Sequence, residues 1–172
     1  MAVRLSVVET VVSPSFRTFW LHCRGQDYLE VMTAAAGRTD AEDVGFAGSA
    51  VAVRTVTDAG SVRVTVEIWS RQPMVLSDEP RFEYAVEGEL ELPAGQWCID
   101  ESHDSGVQAG VSLPGGAGRY GVRVTAYNQQ RVTDLIEEYA EDFVAAMAAV
   151  RALPAAEGER YRLQLWPVGR GR

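Results

Sequence analysis

The sequence predicts a mainly β fold: an antiparallel β-sandwich of about ten short strands, with one amphipathic helix inserted before the last strand. Three observations predict it. Stretches such as Ser61–Trp69 alternate apolar and polar residues with period 2, as half-buried strands do. Turn signals separate these stretches: Asp58-Ala59-Gly60, Pro93-Ala94-Gly95, Asp104-Ser105-Gly106, Pro114-Gly115-Gly116 and Glu157-Gly158. One segment alone, Thr133–Ala152, changes to a helical period.

Three strands are the clearest. In Ser61–Trp69, Val62, Val64, Val66 and Ile68 face inward, while Arg63, Thr65, Glu67 and Trp69 face outward. In Arg119–Tyr127, Tyr120, Val122, Val124 and Ala126 face inward. In Tyr161–Trp166, Leu163 and Leu165 face inward, and Arg162, Gln164 and Trp166 outward. Weaker strands are predicted at Arg4–Val12, Phe16–Cys23, Tyr28–Met32, Ala50–Thr55, Phe82–Leu92, Trp97–Glu101 and Gln108–Leu113. The Ala-, Gly- and acid-rich stretch Thr33–Gly48 reads as a long loop with at most one helical turn.

The helix follows from two adjacent apolar rows: Leu135, Tyr139, Phe143 and Met147, then Ile136, Ala140, Val144 and Ala148. Thr133 is the expected N-cap. Asp134, Glu137 and Glu138 suit the positive end of the helix dipole, Arg151 suits the other end, and Pro154 stops the helix. Its apolar face is expected to cover a face or open end of the sandwich. A chain of 172 residues is expected to form one domain spanning 1–172.

Composition excludes several kinds of chemistry. All 16 basic residues are arginine, so there is no lysine for a Schiff base, a phosphate loop or a lysine general base. A net charge of −8 disfavours direct nucleic-acid binding, because the arginines do not cluster in sequence. The same charge favours basic protein partners. No apolar run reaches the length of a membrane helix, and the N-terminus lacks a signal-peptide pattern, so a cytoplasmic protein is expected. Cys23 and Cys98 are then expected to stay as thiols.

The residues offer little for catalysis. Only His22 and His103 are available as imidazole bases, and no Gly-x-Ser-x-Gly elbow is present. Cys98 with His103 makes a conceivable thiol pair, outweighed by a buried thiol and a surface histidine. Metal-binding residue types occur at His22, Cys23, Cys98, Asp100, Glu101, His103 and Asp104. Adjacent strand residues point to opposite faces, so His22 and Cys23 cannot share an ion. The Asp100–Asp104 run lacks the spacing of a calcium loop. Neither a metal nor a cofactor is therefore expected. Gly115-Gly116-Ala117-Gly118 precedes a strand rather than a helix, which makes it a turn and not a phosphate cradle.

Two features bear on recognition. Glu87, Glu89 and Glu91 alternate along one strand face at steps of about 6–7 Å. Nothing marks a cleft around them, so they read as a solvated face or as charge guarding an edge strand. The sharper reading joins them to Asp134, Glu137, Glu138 and Glu141 as a docking surface for a basic protein. Trp69 and Trp166 lie on the polar side of their strands. They are either covered by a helix or loop, or exposed for binding a small molecule or carbohydrate.

The strand Gly118-Arg119-Tyr120-Gly121-Val122-Arg123-Val124, the Leu92–Gly95 turn and the closing Tyr161-Arg162-Leu163-Gln164-Leu165-Trp166-Pro167 together resemble the ComJ-like family of small bacterial all-β proteins, related to a competence-nuclease inhibitor. The resemblance spans Gly45–Pro167 apart from the helix, where such proteins usually have a shorter connection. It implies a sandwich and, by analogy, a non-enzymatic inhibitor or immunity-type role. It assigns no functional residues. A protein-binding module for a basic partner such as a nuclease is the leading expectation, a ligand-binding sandwich the second, and a metal-dependent enzyme around Cys98–Asp104 the third. Oligomeric state is left open.

Overall fold

The computed structural model describes residues 1–23, 28–39, 43–58, 60–74, 82–102, 105–139 and 141–169. Side chains are described for all of these except Tyr28, 101–102 and 105–109. Among the described residues, ten strands and three helices follow in the order β1 (Arg4–Val12), β2 (Thr18–His22), α1 (Tyr28–Arg38), β3 (Val44–Ala47), β4 (Ala50–Arg54), β5 (Val62–Trp69), β6 (Tyr84–Leu92), β7 (Gln96–Ser102), β8 (Ser105–Ser112), β9 (Gly118–Tyr127), α2 (Gln129–Glu138), α3 (Phe143–Ala152) and β10 (Arg160–Pro167).

The strands form two five-stranded sheets. Sheet A has the order β1-β5-β10-β9-β6 and sheet B the order β3-β4-β2-β7-β8. Between them lies a core of alternate residues from both inner faces, including Phe19, Leu21, Val51, Val64, Val66, Trp97, Ile99, Val122, Val124, Tyr161 and Leu163. Phe19 of sheet B meets Tyr161 of sheet A edge-on, with ring centroids 5.3 Å apart. The inward residues predicted for β5, β9 and β10 are all buried.

Three expectations change. Sheet A is mixed rather than purely antiparallel, because β10 runs parallel to β5, with Leu163 opposite Val66. A parallel neighbour needs a crossover connection. Here β6 to β9, with α2 and α3, intervene between the two strands in sequence.

Tyr28–Met32 is not a strand, and residues 33–48 are not a loop. Residues 28–38 form α1, and β3 follows it. Met32 and Ala35 of α1 are fully buried against Trp20, Ala50 and Ala52 on the outer face of sheet B. Trp20 Nε1 donates to the carbonyl of Met32 at 3.2 Å. A Cβ on Gly45 would lie 2.0 Å from the Ala35 carbonyl oxygen. Small residues on both surfaces let the helix sit this close to the sheet, and an alanine-rich face hides that packing from a pattern of large apolar residues.

The single helix predicted over 133–152 is two helices with a break after Glu138. Thr133 is not its cap. The chain leaves β9 through Asn128, its only asparagine, in the left-handed region (φ 64°). Asparagine tolerates that conformation better than most residues. Its Nδ2 donates to the carbonyls of Ala156 (2.9 Å) and Gly158 (3.0 Å). The Glu83 carboxylate accepts from the backbone N–H groups of Gln129 (2.7 Å) and Gln130 (2.9 Å), so it terminates α2 from outside the helix. Asp142 caps α3 by accepting from Ala145 N at 2.9 Å. The hairpin covers an end of the sandwich, where Val132, Leu135, Ala146 and Met147 are buried and Thr57 Oγ1 lies 3.5 Å from Met147 Sδ. Among the described residues, no helix is long and apolar enough to cross a membrane.

Candidate functional site

The outer face of sheet A carries Glu87, Glu89, Glu91, Trp69 and Trp166. Rows of side chains cross the strands in register, and one row runs Val7, Glu67, Gln164, Arg123 and Glu87. Glu67 is 5% exposed and accepts from Arg4 Nη1 (3.0 Å), Trp69 Nε1 (3.0 Å) and Gln164 Nε2 (2.8 Å). Burial pushes its carboxyl pKa up, but the hydrogen bonds from Gln164, Trp69 and Arg4 outweigh that and leave it lowered. Arg123 donates to Gln164 Oε1 and to the Pro73 carbonyl, both at 3.1 Å.

The three glutamates of β6 lie on this face, and β6 is an edge strand of sheet A. Their charges are largely met by arginines of β9. Glu87 Oε1 is 2.6 Å from Arg123 Nη2, Glu89 pairs with Arg119, and Glu91 Oε1 is 3.5 Å from Arg119 Nε. The other predicted acids lie elsewhere. Asp134, Glu137, Glu138 and Glu141 are exposed on the α2–α3 hairpin, where Asp134 accepts from Gln130 Nε2 at 2.7 Å. Glu137, Glu138 and Glu141 form no ion pair among the described residues.

Close to those acids in sequence, Tyr139, Phe143 and Val144 are 37%, 69% and 77% exposed. The apolar rows predicted these side chains as buried. The break after Glu138 changes the helical phase, so Leu135 and Met147 reach the interior while Phe143 and Val144 turn to solvent. Sequence periodicity missed this patch because it assumed an unbroken helix. Pro and Gly, the usual marks of a break, are absent from 133–152.

The two outward tryptophans have different fates. Trp166 is 8% exposed and packs against Gly121, with the Arg123 guanidinium 5.7 Å from its ring centroid. Trp69 is partly exposed at the wall of a depression of about 280 Å³, together with Met74, Arg4 and Arg162. Of the candidate metal-binding residues, His22, Cys98 and Asp100 converge on the outer face of sheet B, while Cys23 points into the core between the sheets. His103 and Asp104 lie outside the described residues, as does the Glu101 side chain, so the conceivable Cys98–His103 pairing falls there too.

A further polar cluster fastens α2 to the sheets. Glu159 Oε1 accepts from Val56 N (2.9 Å), from Gln129 Nε2 (3.3 Å) and from the Tyr161 hydroxyl. Burial raises the Glu159 pKa more than these bonds lower it. Burial also raises the Tyr161 phenol, and the adjacent Glu159 charge adds to the shift.

The architecture is that of a two-sheet β protein whose helices cover one outer sheet face and one end. It is a ComJ-like fold. Two solved structures share it. ComJ from Bacillus subtilis, described as an inhibitor of the DNA-degrading activity of NucA, has a TM-score of 0.54 at 11% identity, over 98% of this chain and 99% of that one. The product of crocagin biosynthetic gene J has a TM-score of 0.54 at 16% identity, over 95% and 98%. No protein-family model matches the chain, and no curated protein matches it in sequence.

Proposed function

We propose that this chain is a non-enzymatic protein-binding module of the cytoplasm that docks on a basic partner through the tip of its α2–α3 hairpin. The observation that carries this reading is the exposure of Phe143 and Val144 among Glu137, Glu138 and Glu141. An exposed apolar pair flanked in sequence by acidic residues has the composition of an interface anchor with a charged rim. The unpaired carboxylates would steer a cationic partner and speed its approach. Glu87, Glu89 and Glu91 contribute less in this reading, because Arg119 and Arg123 already oppose them. The likeness to ComJ supports a nuclease as the partner class, and inhibition or immunity as the consequence of docking.

The test is binding to purified basic nucleases by surface plasmon resonance, with DNA degradation followed in parallel at low and high salt. Docking at the hairpin requires Phe143→Ser with Val144→Ser to weaken binding at least about tenfold, equivalent to about 1.4 kcal/mol. Glu137→Lys with Glu138→Lys should mainly slow association at low salt. Undiminished affinity in both variants would remove the hairpin from the interface.

A second reading rests on the depression beside Trp69, which has the mixed polar and apolar lining of a small-ligand site. Quenching of tryptophan fluorescence by a sugar or metabolite, lost in Trp69→Phe, would favour it. Trp166 lies too deep to take part directly.

A further inference from the structure

His22 of β2 and Cys98 of β7 are directly opposed in the antiparallel register, and Asp100 follows two residues along on the same sheet face. The Cys98 sulfur is 3.3 Å from His22 Nε2, and Asp100 Oδ2 is 2.8 Å from the same nitrogen. One donor atom from each residue lies within 4.8 Å of the other two. All three residues are buried, with exposures of 1%, 1% and 4%.

A hydrogen-bonded His–Asp pair with a neighbouring thiol leaves one feature unexplained. Asp100 Oδ1 is buried and has no hydrogen-bond partner among the described residues. An unsatisfied carboxylate oxygen at such depth is costly. A cation bound there would use the lone pairs that hydrogen bonding leaves idle. The mixture of sulfur, imidazole nitrogen and carboxylate oxygen suits zinc, whereas calcium and magnesium take oxygen ligands. Zinc bond lengths at tetrahedral angles place such ligand atoms about 3.3–3.6 Å apart, so the sulfur–nitrogen and nitrogen–oxygen spacings need only a small expansion.

We propose that His22, Cys98 and Asp100 bind one zinc ion between β2 and β7. Binding displaces the Cys98 thiol proton to solvent and requires the neutral His22 ring to carry its proton on Nδ1, so that Nε2 is free to ligate. The thiolate and carboxylate then balance the dication, which leaves the buried site neutral beside an uncharged imidazole. The ion ties together two strands whose ligands are 76 residues apart in sequence, so its role is to brace sheet B. This site is independent of the hairpin and stands or falls separately from the binding reading above.

The test is titration of the reduced, metal-free chain with cobalt(II), followed by zinc competition. One equivalent of cobalt should produce tetrahedral visible bands and a thiolate charge-transfer band, both abolished by zinc. Cys98→Ser should lose the thiolate band and Cys23→Ser should keep it. His22→Gln and Asp100→Asn should each weaken binding at least about tenfold, since even outer-shell partners of metal ligands contribute that much. X-ray absorption of the zinc-loaded wild-type chain reads the ligands without any variant, and should report one sulfur with nitrogen and oxygen neighbours. Failure of the folded wild-type chain to bind either metal, an absorption spectrum without sulfur, or a thiolate band that survives in Cys98→Ser would overturn the proposal.

Discussion

Trp166 of β10 and Gly121 of β9 are partners in the sheet register, and a Cβ on Gly121 would lie 2.4 Å from the indole Cε2. The ring occupies the space that any side chain at 121 would need. Gly121→Ala therefore forces the indole off its neighbour or shifts the strand. A cost of about 1–3 kcal/mol is expected, as for other overpacked sites. Urea unfolding should show it, with a red shift in tryptophan emission as the ring moves towards solvent.

Glu67 ties β1, β5 and β10 together through the donors of Arg4, Trp69 and Gln164. Glu67→Gln places an amide N–H against one of those donors and should cost roughly 1–3 kcal/mol. Because the folded-state pKa lies below the ordinary 4.5, this stabilisation is present above that value and is lost as the pH falls through the lowered one. Thermal unfolding followed from neutral to acidic pH should find the gap between wild type and Glu67→Gln narrowing in acid.

Glu159 has the opposite sign. Its folded-state pKa is raised, so the stability linked to its proton is complete below the unfolded value and disappears as the pH rises through the raised one. Glu159→Gln keeps an oxygen to accept from Val56, Gln129 and Tyr161 but carries no charge to bury. Its melting temperature should gain on the wild type as the pH rises from acid to neutral. A constant difference would contradict the assignment.

Asp142 links helix stability to the proposed docking surface. Removing the cap in Asp142→Ala should cost about 1 kcal/mol and loosen the first turn of α3. Phe143 and Val144 occupy that turn, so partner affinity should fall with it. Hydrogen exchange at the amides of 143–146 reads the fraying directly. Unchanged protection there would show that the turn is held by packing instead.

The sequence by itself determined which residues turn inward on β5, β9 and β10, the positions of most strands, and the absence of lysine chemistry. Those properties are local: alternation, turn residues and composition act over a few neighbours. Tertiary structure decided what depends on partners distant in sequence. The parallel pairing of β10 with β5 arises from chain topology, which no period reveals. The seating of α1 depends on Ala50, Ala52 and Gly45 lying beneath it, a match of small surfaces across separate strands. The charges of Glu87, Glu89 and Glu91 are legible in sequence, but their neutralisation by Arg119 and Arg123 requires the register of β6 with β9. The grouping of His22 with Cys98 and Asp100 has the same origin. Alternation fixes the face on which each residue stands, and only the pairing of β2 with β7 brings those faces into contact.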